Sequence, residues 1–180
     1  MKDGTGPGAA TEMLSNQELP IADLCALAAD LLQKKGWFLA TAESCTGGLI
    51  AATCTERAGS SAWFERGFVT YSNAAKCELL GVDAALIATH GAVSEAVVRA
   101  MAQGARVHSH AQVAVAVTGI AGPTGGSADK PVGTVWLAWA TPQGIDAQRI
   151  RCPGDRAQVR ATTVSLALQG LVERLRGPAN

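Results

Sequence analysis

The 180-residue chain is poor in aromatic side chains, at 4%, and in charge, at 17% Asp, Glu, Lys and Arg. So few rings exclude an aromatic stacking platform for single-stranded nucleic acid. Its 15 basic and 15 acidic residues cancel, and no Lys/Arg run occurs. That balance argues against a nucleic-acid partner held through phosphate contacts and against polybasic attachment to a membrane. Long apolar runs are missing too: stretches such as 111–117 and 135–140 fall far short of the ~20 residues of a membrane helix. Residues 1–16 contain no apolar core of a signal peptide, and 1–17 is expected to be a disordered tail. The 5 cysteines form no C-x-x-C pair and no zinc-like spacing with histidine, so they read as reduced thiols of a cytoplasmic protein. The 3 histidines lack the i,i+4 spacing of a ligand pair, and neither a metal nor another cofactor is expected.

What the chain does have is apolar content, 48%, and glycine, 20 residues. The first suffices for one packed domain, expected over 18–176. Apolar residues from Leu19 to Leu32 recur at helical spacing, with Lys34, Lys35 and Gly36 suited to the helix end. Residues 37–42 read as a first strand, 49–57 as a helix and 68–71 as a second strand. A short helix capped by Asn73 and closed by Gly81 follows, and Asp83 and Ser94 suit the N-caps of two more. Residues 112–118 read as a third strand, 135–140 as a fourth, and the turn at 142–144 pairs that strand with 145–151 as a hairpin. Pro153-Gly154-Asp155 caps a last helix to about 176. Helices alternating with continuous apolar strands, then a hairpin, predict an α/β fold with a mostly parallel sheet and one antiparallel strand.

In such sheets ligands bind beyond the carboxyl ends of the parallel strands. Three predicted strands end in unusual loops: Glu43-Ser44-Cys45-Thr46-Gly47-Gly48, Tyr71-Ser72-Asn73 with Lys76, and the Gly-rich segment from Thr118 through Gly119 and Gly122 to Gly133. Gly-rich backbone can aim N–H groups at an anion, and the helix after Gly47-Gly48 offers its positive end to one. Ser, Tyr and Lys are the residues here that can generate a nucleophile, because a lysine of depressed pKa can take a serine proton. Ser44 and Ser61 equally suit plain N-caps. Cys45, near a helix start, is expected to have a lowered pKa and is a second candidate nucleophile, though no histidine is placed to serve it.

In order, Thr41-Ala42-Glu43-Ser44-Cys45-Thr46-Gly47-Gly48, Gly59-Ser60-Ser61, Gly67 to Asn73 with Lys76, His90 to Ser94, Thr118 to Pro123 with Lys130 to Val135, and Gly154-Asp155-Arg156 resemble the blocks of the CinA C-terminal domain family. The likeness spans about 18–176 and fits the family's stand-alone form. It implies a three-layer α/β/α fold with a five-stranded mixed sheet. It also implies hydrolysis of nicotinamide mononucleotide to nicotinate mononucleotide and ammonia, in pyridine-nucleotide salvage. The family's nucleophile corresponds to Ser61, its tyrosine and lysine to Tyr71 and Lys76, and its threonine and arginine to Thr118 and Arg156. On this reading Ser61 attacks the carboxamide carbon, Lys76 and Tyr71 handle the proton, and Glu43, Ser44, Thr46, Gly47, Thr118, Gly119, Gly122 and Arg156 bind substrate. The partner is a small pyridine nucleotide, and the protein is expected to be a homo-oligomer. Two alternatives stand: Ser44 as the nucleophile with Ser61 as a cap or ligand contact, and a non-catalytic nucleotide-binding module linked to competence or DNA damage.

Overall fold

The computed structural model describes residues 19–177, so the tail expected over 1–17 lies outside the described residues. Helix α1 (Ile21–Lys35) ends at Gly36 in the left-handed conformation, and β1 (Leu39–Glu43) follows. Then come α2 (Leu49–Glu56), a single 3₁₀ turn at Ser60–Ala62, β2 (Phe64–Val69) and α3 (Asn73–Leu80). Helices α4 (Ala84–His90) and α5 (Glu95–Val107) precede β3 (Val113–Gly119), β4 (Thr134–Thr141), β5 (Gly144–Arg151) and α6 (Arg156–Arg176). The strands form one sheet in the order β2-β1-β3-β4-β5. β1 is parallel to β2 and β3, while β4 is antiparallel to both β3 and β5. Four strands therefore share one direction and β4 alone opposes them, as the sequence pattern predicts.

The side-chain period of two along a strand decides the two faces. In β3, Val113, Val115 and Val117 face a core built with α1, α2 and α6. Ala114 and Ala116 face the other layer, α3, α4 and α5. β4 repeats this, with Val135, Leu137 and Trp139 on the first face and Ala138 and Ala140 on the second. Small residues on that face let α5 approach closely. Gly104 of α5 continues the theme, because a Cβ there would strike the Leu80 backbone at the end of α3. The result is three layers, α/β/α.

The caps follow from side-chain chemistry. Asp83 and Ser94 accept from Ala85 N and Val97 N, and Asp155 forms a full capping box with Gln158 on α6. One expected cap differs. Ser72, not Asn73, caps α3 by accepting from Ala75 N, and Asn73 is the first helical residue. β2 also runs earlier than the expected 68–71. It is an edge strand, so Glu65, Arg66 and Gly67 replace the apolar run by which buried strands are recognised.

Candidate active site

Parallel pairing brings the carboxyl ends of β1, β2 and β3 abreast: Glu43 sits opposite Val69 on one side and Val117 on the other. The ladder extends one residue further, with Thr70 N donating to Glu43 O and Ser44 N to Val117 O. Ser44, Thr70-Tyr71 and Thr118 thereby reach one edge of the sheet together. A cavity of about 240 Å³ opens there, lined by Ser44, Cys45, Tyr71, Asn73, Lys76 and Arg156, with Ala92, Val93, Thr118, Gly119 and Ala121 forming the rest of its wall. A larger cavity of about 450 Å³ beside Lys35, Trp37 and Arg174 is lined by no serine, cysteine or tyrosine.

The chemical centre is Lys76. Its side chain is 1% exposed, and its Nζ donates to Thr70 O at 2.8 Å and to Ser44 Oγ at 3.2 Å. Burial without an anionic partner disfavours the ammonium form and pulls the Lys76 pKa below the usual lysine range. A lysine of this kind is a base waiting beside a hydroxyl. Tyr71 stands at the mouth, where its hydroxyl accepts a hydrogen bond from Arg156 Nη2 at 2.8 Å, so the phenol proton is free to donate. The other arm of the same guanidinium donates to Gly122 O at 2.9 Å, which ties the Gly-rich loop to α6. Thr118 Oγ1 donates to Ala92 O, anchoring the segment 90–94 against β3.

Some expected site residues lie elsewhere. Ser61 is exposed on the 3₁₀ turn that precedes β2, two residues before Trp63, whose carbonyl accepts from Leu39 N at the start of β1. Tyr71 and Lys76 follow the other end of β2. Six strand residues at about 3.3 Å each separate the two ends by about 20 Å. Within the chain, Ser61 is not brought to Lys76; Ser44 is.

Glu43 is not on the cavity wall. It is 1% exposed, and both carboxylate oxygens are committed: Oε2 accepts from Thr46 Oγ1, Gly48 N and Ile50 N, and Oε1 from Ala51 N. The anion at the positive end of α2 is thus the protein's own carboxylate, and that helix start is not offered to a ligand. Thr46 is fully buried between Glu43 and Arg160, whose Nη2 donates to Thr46 O at 2.9 Å. Gly47 and Gly48 both have positive φ, 61° and 98°, which makes the turn possible, but neither lines the cavity. Cys45 also departs from expectation. Burial pushes its thiol pKa up to about 12, the opposite of an activated nucleophile.

Sequence reasoning misses two parts of the cavity wall, Asn73 and Ala92-Val93, and one support of the turn behind it, Arg160. Arg160 falls four residues after Arg156, hence on the same face of α6, and that spacing is the available signal. Asn73 lies within a recognised block, where its position before a helix suggests only a cap.

The protein is thus a three-layer α/β domain with a cavity at its strand ends, on whose wall a buried lysine meets a serine. The family model described as the CinA C-terminal domain matches residues 21–175, and the chain belongs to that family. It is 56% identical over 139 residues to the nicotinamide-nucleotide amidohydrolase PncC of Enterobacter agglomerans, covering 77% of this chain and 85% of the relative. It is 51% identical over 154 residues to the Pseudomonas putida protein of the same name, covering 86% and 96%. Among solved structures, the competence/damage inducible protein CihA from Agrobacterium tumefaciens superposes with TM-score 0.84 at 47% identity, covering 87% of this chain and 95% of that one. The competence damage-inducible protein A from Klebsiella pneumoniae superposes with TM-score 0.86 at 41% identity, covering 89% and 100%.

Proposed function

We propose that the chain is an amidohydrolase that converts nicotinamide mononucleotide and water to nicotinate mononucleotide and ammonia, with Ser44 as nucleophile and Lys76 as its base. The observation that carries the residue assignment is the 3.2 Å contact between Lys76 Nζ and Ser44 Oγ on the cavity wall. The substrate comes from the relatives' names together with the cavity. At about 240 Å³ it is below the roughly 300–1,000 Å³ of a whole ligand pocket, so it suits the carboxamide-bearing ring with the ribose phosphate outside.

Neutral Lys76 takes the Ser44 proton as Oγ attacks the carboxamide carbon. Tyr71 O–H, polarised by Arg156, donates to the oxyanion that forms. The proton on Lys76 passes to the departing nitrogen, the C–N bond breaks and ammonia leaves. Water then attacks the Ser44 ester, gives its proton to Lys76, and releases nicotinate mononucleotide as Ser44 is reprotonated. Arg156, with Gly119 and Gly122 of the loop it fastens, supplies the positive charge for the 5′-phosphate at the mouth. Thr118 holds the opposite wall. No helix among the described residues is long and apolar enough to cross a membrane. We place the activity in the cytoplasm, in one domain over 18–176 that acts on a small ligand as a homo-oligomer and without nucleic acid.

Ammonia release from NMN tests the reading with Ser44→Ala and Ser61→Ala side by side. The expected result is a loss of at least about a thousandfold in kcat for Ser44→Ala, roughly 4 kcal/mol of barrier. Ser61→Ala retains activity within about tenfold. The reverse order returns the nucleophile to Ser61. Tight NMN binding with no turnover by the unsubstituted protein makes the chain a nucleotide-binding module instead.

A further inference from the structure

The polar side chains of the cavity divide sharply by whether they are already engaged. Ser44 and Lys76 hold one another, and Lys76 also holds Thr70 O. Tyr71 and Arg156 are joined, and Arg156 is tied to Gly122 O. Thr118 is spent on Ala92 O. Asn73 differs: it lines the same cavity at its exposed rim, and its side-chain amide has no hydrogen-bond partner among the described residues, so it is open to a ligand or to water. Helix formation does not account for it. Ser72 already caps α3, and asparagine inside the first turn has a poorer helix propensity than most residues.

Its place on the helix says what it meets. Asn73 and Lys76 are i and i+3 on α3, a spacing that sets side chains side by side with Cβ atoms about 5–6 Å apart. Lys76 holds the Ser44 hydroxyl, and the carbon under attack must lie about 3–3.5 Å from that oxygen. A carboxamide carries its oxygen and nitrogen on that carbon, so both fall within reach of a neighbour one turn away. Tyr71, with its proton free, faces the oxygen. The geometry points to Asn73 as the residue that recognises the substrate's carboxamide nitrogen: its Oδ1 accepts from the –NH₂ group, distinguishing the carboxamide from the carboxylate product. That proposal rests on the amidohydrolase reading above and adds its specificity. The carboxamide satisfies Oδ1 directly, whereas a carboxylate oxygen has no proton to give it and is met only when the Asn73 amide turns to present its N–H instead.

The test is calorimetric titration of Ser44→Ala protein, which holds substrate without consuming it, with NMN and with nicotinate mononucleotide. Introducing Asn73→Ala is expected to weaken NMN about tenfold, equivalent to about 1.4 kcal/mol, and the product less than about threefold. Asn73→Asp keeps the acceptor, so it retains NMN within about threefold while weakening the doubly anionic product further. Equal losses for both ligands, or none for either, overturn the proposal and leave the amidohydrolase reading standing. If NMN binds no form of the protein, both fall together. If Ser44→Ala still turns NMN over, the nucleophile assignment fails. The ratio of KM for NMN to the inhibition constant of the product, with and without Asn73→Ala, then decides the role of Asn73 in the same way. Melting temperatures verify folding, and neither substitution removes a hydrogen bond within the described residues.

Discussion

Replacing Glu43 with Gln should cost stability rather than substrate affinity. The Glu43 carboxylate accepts from Thr46 Oγ1 at 2.7 Å, from Gly48 N and Ile50 N at 3.0 Å, and from Ala51 N at 2.8 Å, all in a side chain 1% exposed. Glutamine keeps one acceptor oxygen. Seated at the Oε2 position, it still serves Thr46, Gly48 and Ile50, but its NH₂ then confronts Ala51 N–H, donor against donor. One charge-assisted hydrogen bond to a buried group goes, worth about 1.5–3 kcal/mol. The favourable charge at the start of α2 goes with it, about 0.5–1 kcal/mol. The sum is about 2–4 kcal/mol, and a domain of this size loses roughly 2–4 °C per kcal/mol, so Tm should drop by about 5–15 °C. Thermal and urea unfolding followed by circular dichroism measure it, alongside KM for NMN at a temperature where both proteins are folded. A Tm within about 2 °C of the parent, with KM raised about tenfold, would refute the internal-anchor reasoning and put Glu43 back among the substrate contacts.

Two other substitutions probe the centre directly. Since burial lowers the Lys76 pKa, the neutral base is populated at lower pH than in a free lysine, so kcat/KM should rise with pH through a midpoint below 10.5. Lys76→Arg, which stays protonated, should abolish that rise and cut kcat about a hundredfold or more; a midpoint at or above 10.5 in the parent contradicts the assignment. The same shift has a stability sign: the unfolded chain binds this proton more tightly, so the Lys76 contribution raises stability as pH climbs from its folded value to 10.5. Cys45, with its pKa pushed up to about 12, should resist iodoacetamide at neutral pH while the half-buried Cys77 reacts first. Cys45→Ala should hold kcat within about threefold, and peptide mapping with the ammonia assay reads both.

Element order, sheet direction and three caps were legible because each rests on local chemistry: the unbroken apolar run Val113 to Val117, the Pro-Gln-Gly turn, and Asp83, Ser94 and Asp155 before helices. The convergence of Ser44, Tyr71, Lys76 and Thr118 was legible too, since parallel strands must place their ends together. Depth was not. Whether Lys76 points to water or inward depends on α3 docking against the sheet, a long-range outcome that no window around Lys76 contains. The fate of Ser61 depends on where β2 begins. A reading that starts the strand at Phe68 leaves Ser61 in a loop free to approach the site. The actual start at Phe64, paired with Leu39, fixes Ser61 on the turn at the amino end of the strands, away from the cavity.

The same long-range logic changes the meaning of Gly47-Gly48. In sequence, a glycine pair before a helix signals an anion held by backbone N–H groups. The structure keeps that physics but supplies the anion from the end of β1, four residues upstream of the pair's first member. Glycines are still required, because the chain must double back over Glu43 with φ of 61° and 98°. The consequence is electrostatic. With α2 neutralised from inside, a phosphate ester cannot use its N-terminus. Positive charge at the cavity then comes from Lys76, which the chemistry needs uncharged, and from Arg156. On the proposed mechanism one guanidinium, fastened by Tyr71 and Gly122, carries the phosphate while its tyrosine partner faces the oxyanion. Phosphate binding and carbonyl polarisation are linked through a single side chain, so a substrate lacking the phosphate should lose kcat as well as affinity.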